Sequence, residues 1–324
     1  MKCCVYTRCF FENEYLTFFI KHYINLGFNK IIILHSGGPR YNLSEQYLNL
    51  VDIYYLENDG DELLLKCDYI IKNSNFDWIL SVDNDELLLL NKYTTIHDYI
   101  EEKLLFNEQI NAFYFRWGMI EKCDIENINK FSHILKKYKV FSNEHIKTMF
   151  KKNDLISIET SHCVYLNNLT IYFENNILYN NQPIHPVNEN SYKDHVLIHL
   201  HTRCLNDLVF KSFNTLFHDK IIELKDEFIE FINTIDQDLS NDTVQCIFLK
   251  YIGMKAKLPF AHSNGKLINM FEFNILKYND EIVETNQNIN ILNLLKNNNI
   301  NNSKYFYFIN KLSNKIINDK TFIY

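Results

Sequence analysis

The stretch Trp78-Ile79-Leu80-Ser81-Val82-Asp83-Asn84-Asp85-Glu86 decides how the chain is read. An apolar run of strand length ends in three carboxylates within four residues. A short continuous apolar run reads as a strand buried on both faces. Carboxylates crowded at its end repel one another and require a compensating cation. In an extended segment Asp83 and Asp85 point the same way, so both can face one hard metal ion. Oxygen ligands of this kind suit Mn2+ or Mg2+, usually shared with substrate phosphates. The alternative is an acidic turn that caps the next helix.

Working outward, the preceding residues alternate strand and helix signals. Cys3-Cys4-Val5-Tyr6 reads as a strand, followed by a helical stripe at Leu16, Phe19, Ile20, Tyr23 and Leu26 that Gly27 stops. Ile31-Ile32-Ile33-Leu34 reads as a buried strand ending in the turn Ser36-Gly37-Gly38-Pro39. A short helix near 43–49, a strand Val51–Tyr55 and a helix through 62–73 lead to Trp78. This repeat implies an α/β fold with a parallel sheet covered by helices on both faces. Ligands in such sheets bind at the carboxyl ends of the strands, where the acidic stretch falls. Farther on, Ala112–Trp117 and Val196–His201 read as strands, 205–256 as helical, and the Asn-biased tail after about 285 as a peripheral helical appendage.

Composition narrows the function classes. The 324 residues contain 7 Gly and 4 Pro, against roughly 22 and about 16 at average usage. No G-x-G-x-x-G or G-x-x-x-x-G-K-[ST] occurs, which disfavours the usual Rossmann dinucleotide enzymes, P-loop NTPases and Gly-loop kinases. Hydrophobic residues make up 47%, with 25 Phe and 21 Tyr, enough for a large core. The 33 Lys and Arg against 40 Asp and Glu leave a net charge of −7, so the electrostatic footprint of a general nucleic-acid binder is lacking. The eight cysteines are scattered without a C-x-x-C pair and read as free thiols of a reducing compartment. Neither a signal-peptide pattern nor an apolar run of membrane-spanning length is present in the sequence. A cytoplasmic protein without an integral membrane segment is the expectation.

A second cluster, His195, His199 and His201, lies near the end of an apolar run. Such histidines are either buried and hydrogen-bonded to backbone, or one of them completes a metal shell with a carboxylate pair. A metal hydrolase built on the three is an alternative, although no H-E-x-x-H spacing supports it. No G-x-S-x-G elbow supports Ser/His/Asp catalysis.

The order of motifs resembles glycosyltransferase family 92 and related family 2-like GT-A enzymes. The residues that carry the likeness are Asn13-Glu14-Tyr15-Leu16, His22-Tyr23, Leu26-Gly27-Phe28 and Ile31-Ile32-Ile33. Asp77-Trp78-Ile79 with Val82-Asp83-Asn84-Asp85-Glu86-Leu87 is similar to that group's D-x-D-E segment. Trp117-Gly118, then Lys147-Thr148 with His162, and finally His199, Arg203, Cys204 and Lys211, follow in the same order. The likeness covers roughly residues 5–215; His35-Ser36-Gly37-Gly38 departs from the family's Asp/Asn-rich turn, and nothing after 220 matches.

The resemblance implies a GT-A domain over 1–220, Rossmann-like with a mostly parallel sheet, and a mainly helical C-terminal extension over 221–324. It implies a metal-dependent transferase of hexosyl type that moves a sugar from a nucleotide sugar, a UDP-sugar, to a glycan or glycoprotein hydroxyl with inversion. On that footing Asp85 holds Mn2+ (or Mg2+), with Asp83 supporting the metal or contacting the ribose and His199 as a late ligand. Arg203 or Lys211 adds positive charge at the diphosphate, and Asn13 and Glu14 contact the base or ribose. Trp117 and His162 face the acceptor, and Glu121 or Glu159 supplies the catalytic base. A catalytically silent GT-A-like binding module is the alternative from another class.

Overall fold

The computed structural model describes residues 1–10, 13–37, 40–56, 61–120, 134–136, 138–158, 164–173, 176–179, 192–200, 267–268 and 270. All belong to the first of two compact units, formed by Met1–Glu121, Ile128–His201 and Ser263–Glu284. The expected helical region over 205–256, the boundary at 220 and the Asn-rich tail lie outside the described residues.

The first half follows the expected alternation. It runs β1 (Cys3–Phe10), α1 (Asn13–Asn25), β2 (Lys30–Gly37), β3 (Val51–Tyr55), α2 (Asp61–Lys72) and β4 (Trp78–Ser81). The stretch near 43–49 holds only a 3-10 turn at Glu45–Tyr47. These strands lie in the order β3-β2-β1-β4, all parallel. The chain builds outward from β1 through β2 and β3, then returns to β1's other side as β4. The strand order therefore reverses between β1 and β4.

The α1 stripe Leu16, Phe19, Ile20, Tyr23 and Leu26 is buried as the periodicity predicts; each such side chain contributes about 1.5–3 kcal/mol. The helix ends because Gly27 takes φ +92°. Gly27 N–H donates to Ile24 O and Phe28 N–H to Tyr23 O, and the Phe28 and Tyr23 rings touch at 5.4 Å. That is a Schellman ending with its apolar contact.

The second half is mixed. β5 (Glu86–Leu90), α3 (Ile96–Phe106), β6 (Ala112–Ile120) and β7 (Val140–Lys151) come first. β8 (Leu155–Ile158), β9 (Val164–Leu166), β10 (Thr170–Phe173), β11 (Asn176–Tyr179), β12 (His195–His199) and β13 (Leu267–Ile268) complete the described elements. β7 lies antiparallel between β4 and β6, so the sheet is parallel through its first half and mixed beyond it. Among the described residues the main sheet has eleven strands, and β8 and β9 form a separate pair. Helices cover both faces, as expected. Ala112 and Tyr114 of β6 share a core cluster with Cys67 and Ile71 of α2, while Phe113 and Phe115, pointing the other way, meet Tyr99 of α3.

Cys3, Cys4, Cys9 and Cys67 are buried and form no disulfide. Burial first, and for Cys3 the charge of Asp77 next, pushes the Cys3 and Cys67 thiols up to about 12. They pack as small apolar residues and are not nucleophiles. Among the described residues no helix is long and apolar enough to cross a membrane.

Candidate functional site

β4 leaves the sheet at Val82, whose N–H donates to Tyr6 O of β1. Asp83–Glu86 then form a turn closed by Glu86 N–H to Asp83 O at 3.0 Å. A turn replaces the extended segment expected here, and it sends the two aspartates to different partners. Asp83 Oδ2 accepts from Lys147 Nζ of β7 at 2.7 Å. Asp85 Oδ2 lies 3.3 Å from His199 Nε2 at the end of β12. Among the described residues no three His, Cys, Asp or Glu side chains gather to hold a metal ion.

The turn is held from several sides. Leu200 N–H donates to Asp85 O at 2.9 Å, which takes β12 out of its ladder one residue after His199. Tyr23 of α1 donates its hydroxyl to Glu86 O at 2.9 Å and accepts from Leu88 N–H at 3.2 Å. His22, fully buried, meets Leu88 O through Nε2 at 2.9 Å.

Lys147 and Glu86 are fully buried, with Nζ 3.5 Å from Glu86 Oε2. That oxygen also accepts Asp83 N–H at 2.8 Å. Burial pushes the Glu86 carboxyl well above its ordinary value; Lys147 pulls it back, and the charges of Asp83 and Asp85 push it up again. For Asp83 burial also acts upward, but the Lys147 charge and hydrogen bond, helped by Arg8, prevail and leave it below the usual carboxylate range. Burial likewise lowers Lys147, and the attraction of Asp83 and Glu86 outweighs it, so the ammonium stays charged. The turn thus favours an ionised Asp83 and a charged lysine, while burial works against the charged form of Glu86.

Trp117 of β6 borders the Asp85–His199 pair. Its ring centroid is 4.3 Å from His199 and 4.8 Å from His145, the latter stacked at 20°. The β6–β7 register jumps from Arg116↔Ile146 to Gly118↔Ser142, so Asn143–His145 bulge out opposite Trp117. Bulges re-aim side chains in this way beside sites. Asn143 Oδ1 accepts from His145 N–H at 2.9 Å and meets its Nδ1 at 2.7 Å. Gly118 is required beside Trp117: a Cβ there would meet Val196 Cγ2 at 2.7 Å and Val140 Cγ1 at 2.9 Å.

Of the sequence-predicted residues, Asp83, Asp85, Trp117 and His199 gather here. Asn13 and Glu14 open α1 at the same edge of the sheet, but their side chains lie outside the described residues, as do Glu121, Glu159, His162, His201, Arg203 and Lys211. His195 does not join His199. It sits in an aromatic pocket, Nδ1 3.1 Å from Tyr99 OH and its ring 4.9 Å from Phe115. Burial, partly opposed by Asp194, pushes it down to about 4, so it is neutral and structural. Sequence reasoning missed Arg8 and His145. Arg8 carried a signal, being the one charge inside the run Cys3–Phe10; His145 carried none, because a bulge places it.

No protein-family model matches the chain, and no curated protein matches it. Solved structures with some likeness include S. aureus TarS, at 10% identity over 80% of this chain and 51% of that one, with a TM-score of 0.35. TarS 1–349 in complex with UDP matches at 10% identity over 82% and 74% of the two chains (TM-score 0.36). Its complex with UDP-GlcNAc matches at 12% over 79% and 81% (TM-score 0.29). The match spans about half the length of the longer TarS chain.

Proposed function

We propose that the protein is a metal-dependent glycosyltransferase that moves a sugar from a UDP-sugar to a hydroxyl acceptor, a glycan or glycoprotein, with inversion. One observation carries this reading. A carboxylate and an imidazole from distant parts of the chain, Asp85 and His199, meet at 3.3 Å beside the point where a parallel sheet reverses its strand order. Ligands settle at such points.

The donor set fits Mn2+ or Mg2+ in a limited form, because such ions take one or two side chains and leave the remaining positions to phosphate and water. Asp85 and His199 would hold the ion, and Asp83, engaged by Lys147, would support the turn or contact the ribose. When bound, the ion supplies positive charge that stabilises the departing nucleoside diphosphate. The chain's own residues do the rest. Lys147 keeps Asp83 ionised and in place, Tyr23 fixes the turn from behind, and Trp117 offers a flat face to the acceptor sugar with His162. The acceptor hydroxyl gives its proton to a carboxylate, Glu121 or Glu159, as its oxygen attacks the anomeric carbon opposite the leaving nucleotide. Asn13 and Glu14 would meet the base or ribose, and Arg203 and Lys211 the diphosphate.

A second reading, a catalytically silent binding module, is favoured by the ion pair that already neutralises Asp83 and by the absence of a three-ligand group among the described residues. A thermal-shift screen of nucleotide sugars with and without Mn2+ separates the two. A transferase is stabilised by a UDP-sugar only when Mn2+ is present, and Asp85→Ala removes both that shift and transfer. Full transfer by Asp85→Ala would sink the assignment. An intact fold indifferent to UDP-sugars and Mn2+ would leave the silent module.

A further inference from the structure

The strand reversal has two sides. After Tyr6↔Ser81 the β1–β4 ladder ends, because β4 turns away into Asp83. β1 continues alone against β2 through Arg8↔Leu34, Cys9↔His35 and Phe10↔Gly37. Arg8 is therefore the second residue past the split. It is half-buried between Thr7 and Cys9, both fully buried. Its charge lowers Asp83 across the split, as well as Tyr6 and Cys67.

The guanidinium makes no hydrogen bond or ion pair with any described residue. Asp83 accepts its close hydrogen bond from Lys147 instead, and Lys147 is divided between Asp83 and Glu86. An arginine set in a central strand beside an acidic turn, with its five donors unspent within the described fold, is suited to an incoming anion. Phosphate oxygens match its fork.

We propose that Arg8 binds the diphosphate of the nucleotide at the β1–β4 split. The inference rests on the reading of the site as a nucleotide-sugar site and names the residue on this chain that takes the anionic group. Lys147 and Arg8 then divide the work: one holds the acidic turn together, the other meets the ligand.

The test is calorimetric titration of UDP, with Mn2+ present, into wild type, Arg8→Ala and Arg8→Lys. Arg8→Ala should weaken UDP at least about tenfold, the loss of a charge-assisted contact. Arg8→Lys keeps the charge but not the fork and should fall between the two. Because Arg8 has no partner in the described fold, Arg8→Ala should melt within about 2 °C of wild type. Wild-type UDP affinity in Arg8→Ala overturns the inference while leaving the site reading in place. A fall in melting temperature of more than about 5 °C in Arg8→Ala, with unchanged UDP affinity in Arg8→Lys, makes Arg8 a structural residue and also overturns it. Wild type that does not bind UDP overturns both.

Discussion

Two buried lysines stand in contrasting surroundings. Lys103 of α3 is 5% exposed. It donates to Asp194 at 2.7 Å, lies 3.4 Å from Glu102 and is ringed by Tyr93, Tyr99 and Tyr172 at 5.0–5.6 Å. Asp194 uses its other oxygen for Lys92 at 3.7 Å, and Tyr93 donates to Glu102 at 2.6 Å. Burial pushes Lys103 down, but Asp194 and the tyrosine hydroxyls hold it above its ordinary value. This cluster is closed: it ties α3 to the start of β12 and leaves nothing over. Lys147 also holds a carboxylate at 2.7 Å, but Asp83 keeps 37% of its side chain exposed. Glu86 Oε1 is buried without a hydrogen-bond partner among the described residues, and Arg8, whose charge reaches Asp83, makes no hydrogen bond or ion pair with a described residue. A cluster that only supports the fold satisfies its own members, whereas one that binds a ligand keeps capacity in reserve.

Replacing the cation in each cluster breaks or sharpens that contrast most. Lys103→Met strands Asp194 in the interior and should cost about 3–5 kcal/mol in urea unfolding. Lys147→Met should cost less, about 2–3 kcal/mol, because Asp83, its closest partner, reaches solvent. The reverse order would erase the distinction.

The closed side also sets the acid response. His195 titrates near 6.5 when unfolded and at about 4 in the fold. A depressed folded value means the stabilisation is complete above pH 6.5 and is lost as pH falls toward about 4. By about pH 5 the loss should reach about 2 kcal/mol. Unfolding followed across this window should show that slope in wild type and not in His195→Phe; equal slopes would place the response elsewhere.

Two glycines separate site from scaffold. Gly118→Ala pushes against Val196 and Val140 and should cost about 1–2 kcal/mol. It should also weaken UDP binding, because β12 pairs with β6 at Ile198↔Gly118, next to His199. Gly27→Ala, strained at φ +92°, should cost about 1 kcal/mol and leave UDP affinity unchanged. Calorimetry on both proteins checks the pair.

The parallel half of the fold was legible because its strands are continuous apolar runs and its first helix has a full stripe with a glycine stop. The acidic turn was legible by composition, but its geometry was not. Spacing suggested that Asp83 and Asp85 share one face, whereas the Asp83–Glu86 turn and Lys147 part them. β5 is a short leucine run with no period to type it. β7 hides because a bulge breaks its alternation and because it buries Asn143, Lys147 and Thr148. α3 had a readable start in the Thr95–Asp98 capping box, yet its exposed Leu105 and Phe106 blur the stripe. What spacing cannot supply is the partner across the sheet, and the site depends on two such partners, Lys147 and His199.

The most direct measurement is calorimetric titration of UDP into wild type and Asp85→Ala, each with and without Mn2+. Wild type should bind UDP only with Mn2+, and Asp85→Ala should show no Mn2+-dependent binding. Wild-type affinity in Asp85→Ala, with the same response to Mn2+, would contradict the assignment of the acidic turn as the nucleotide site.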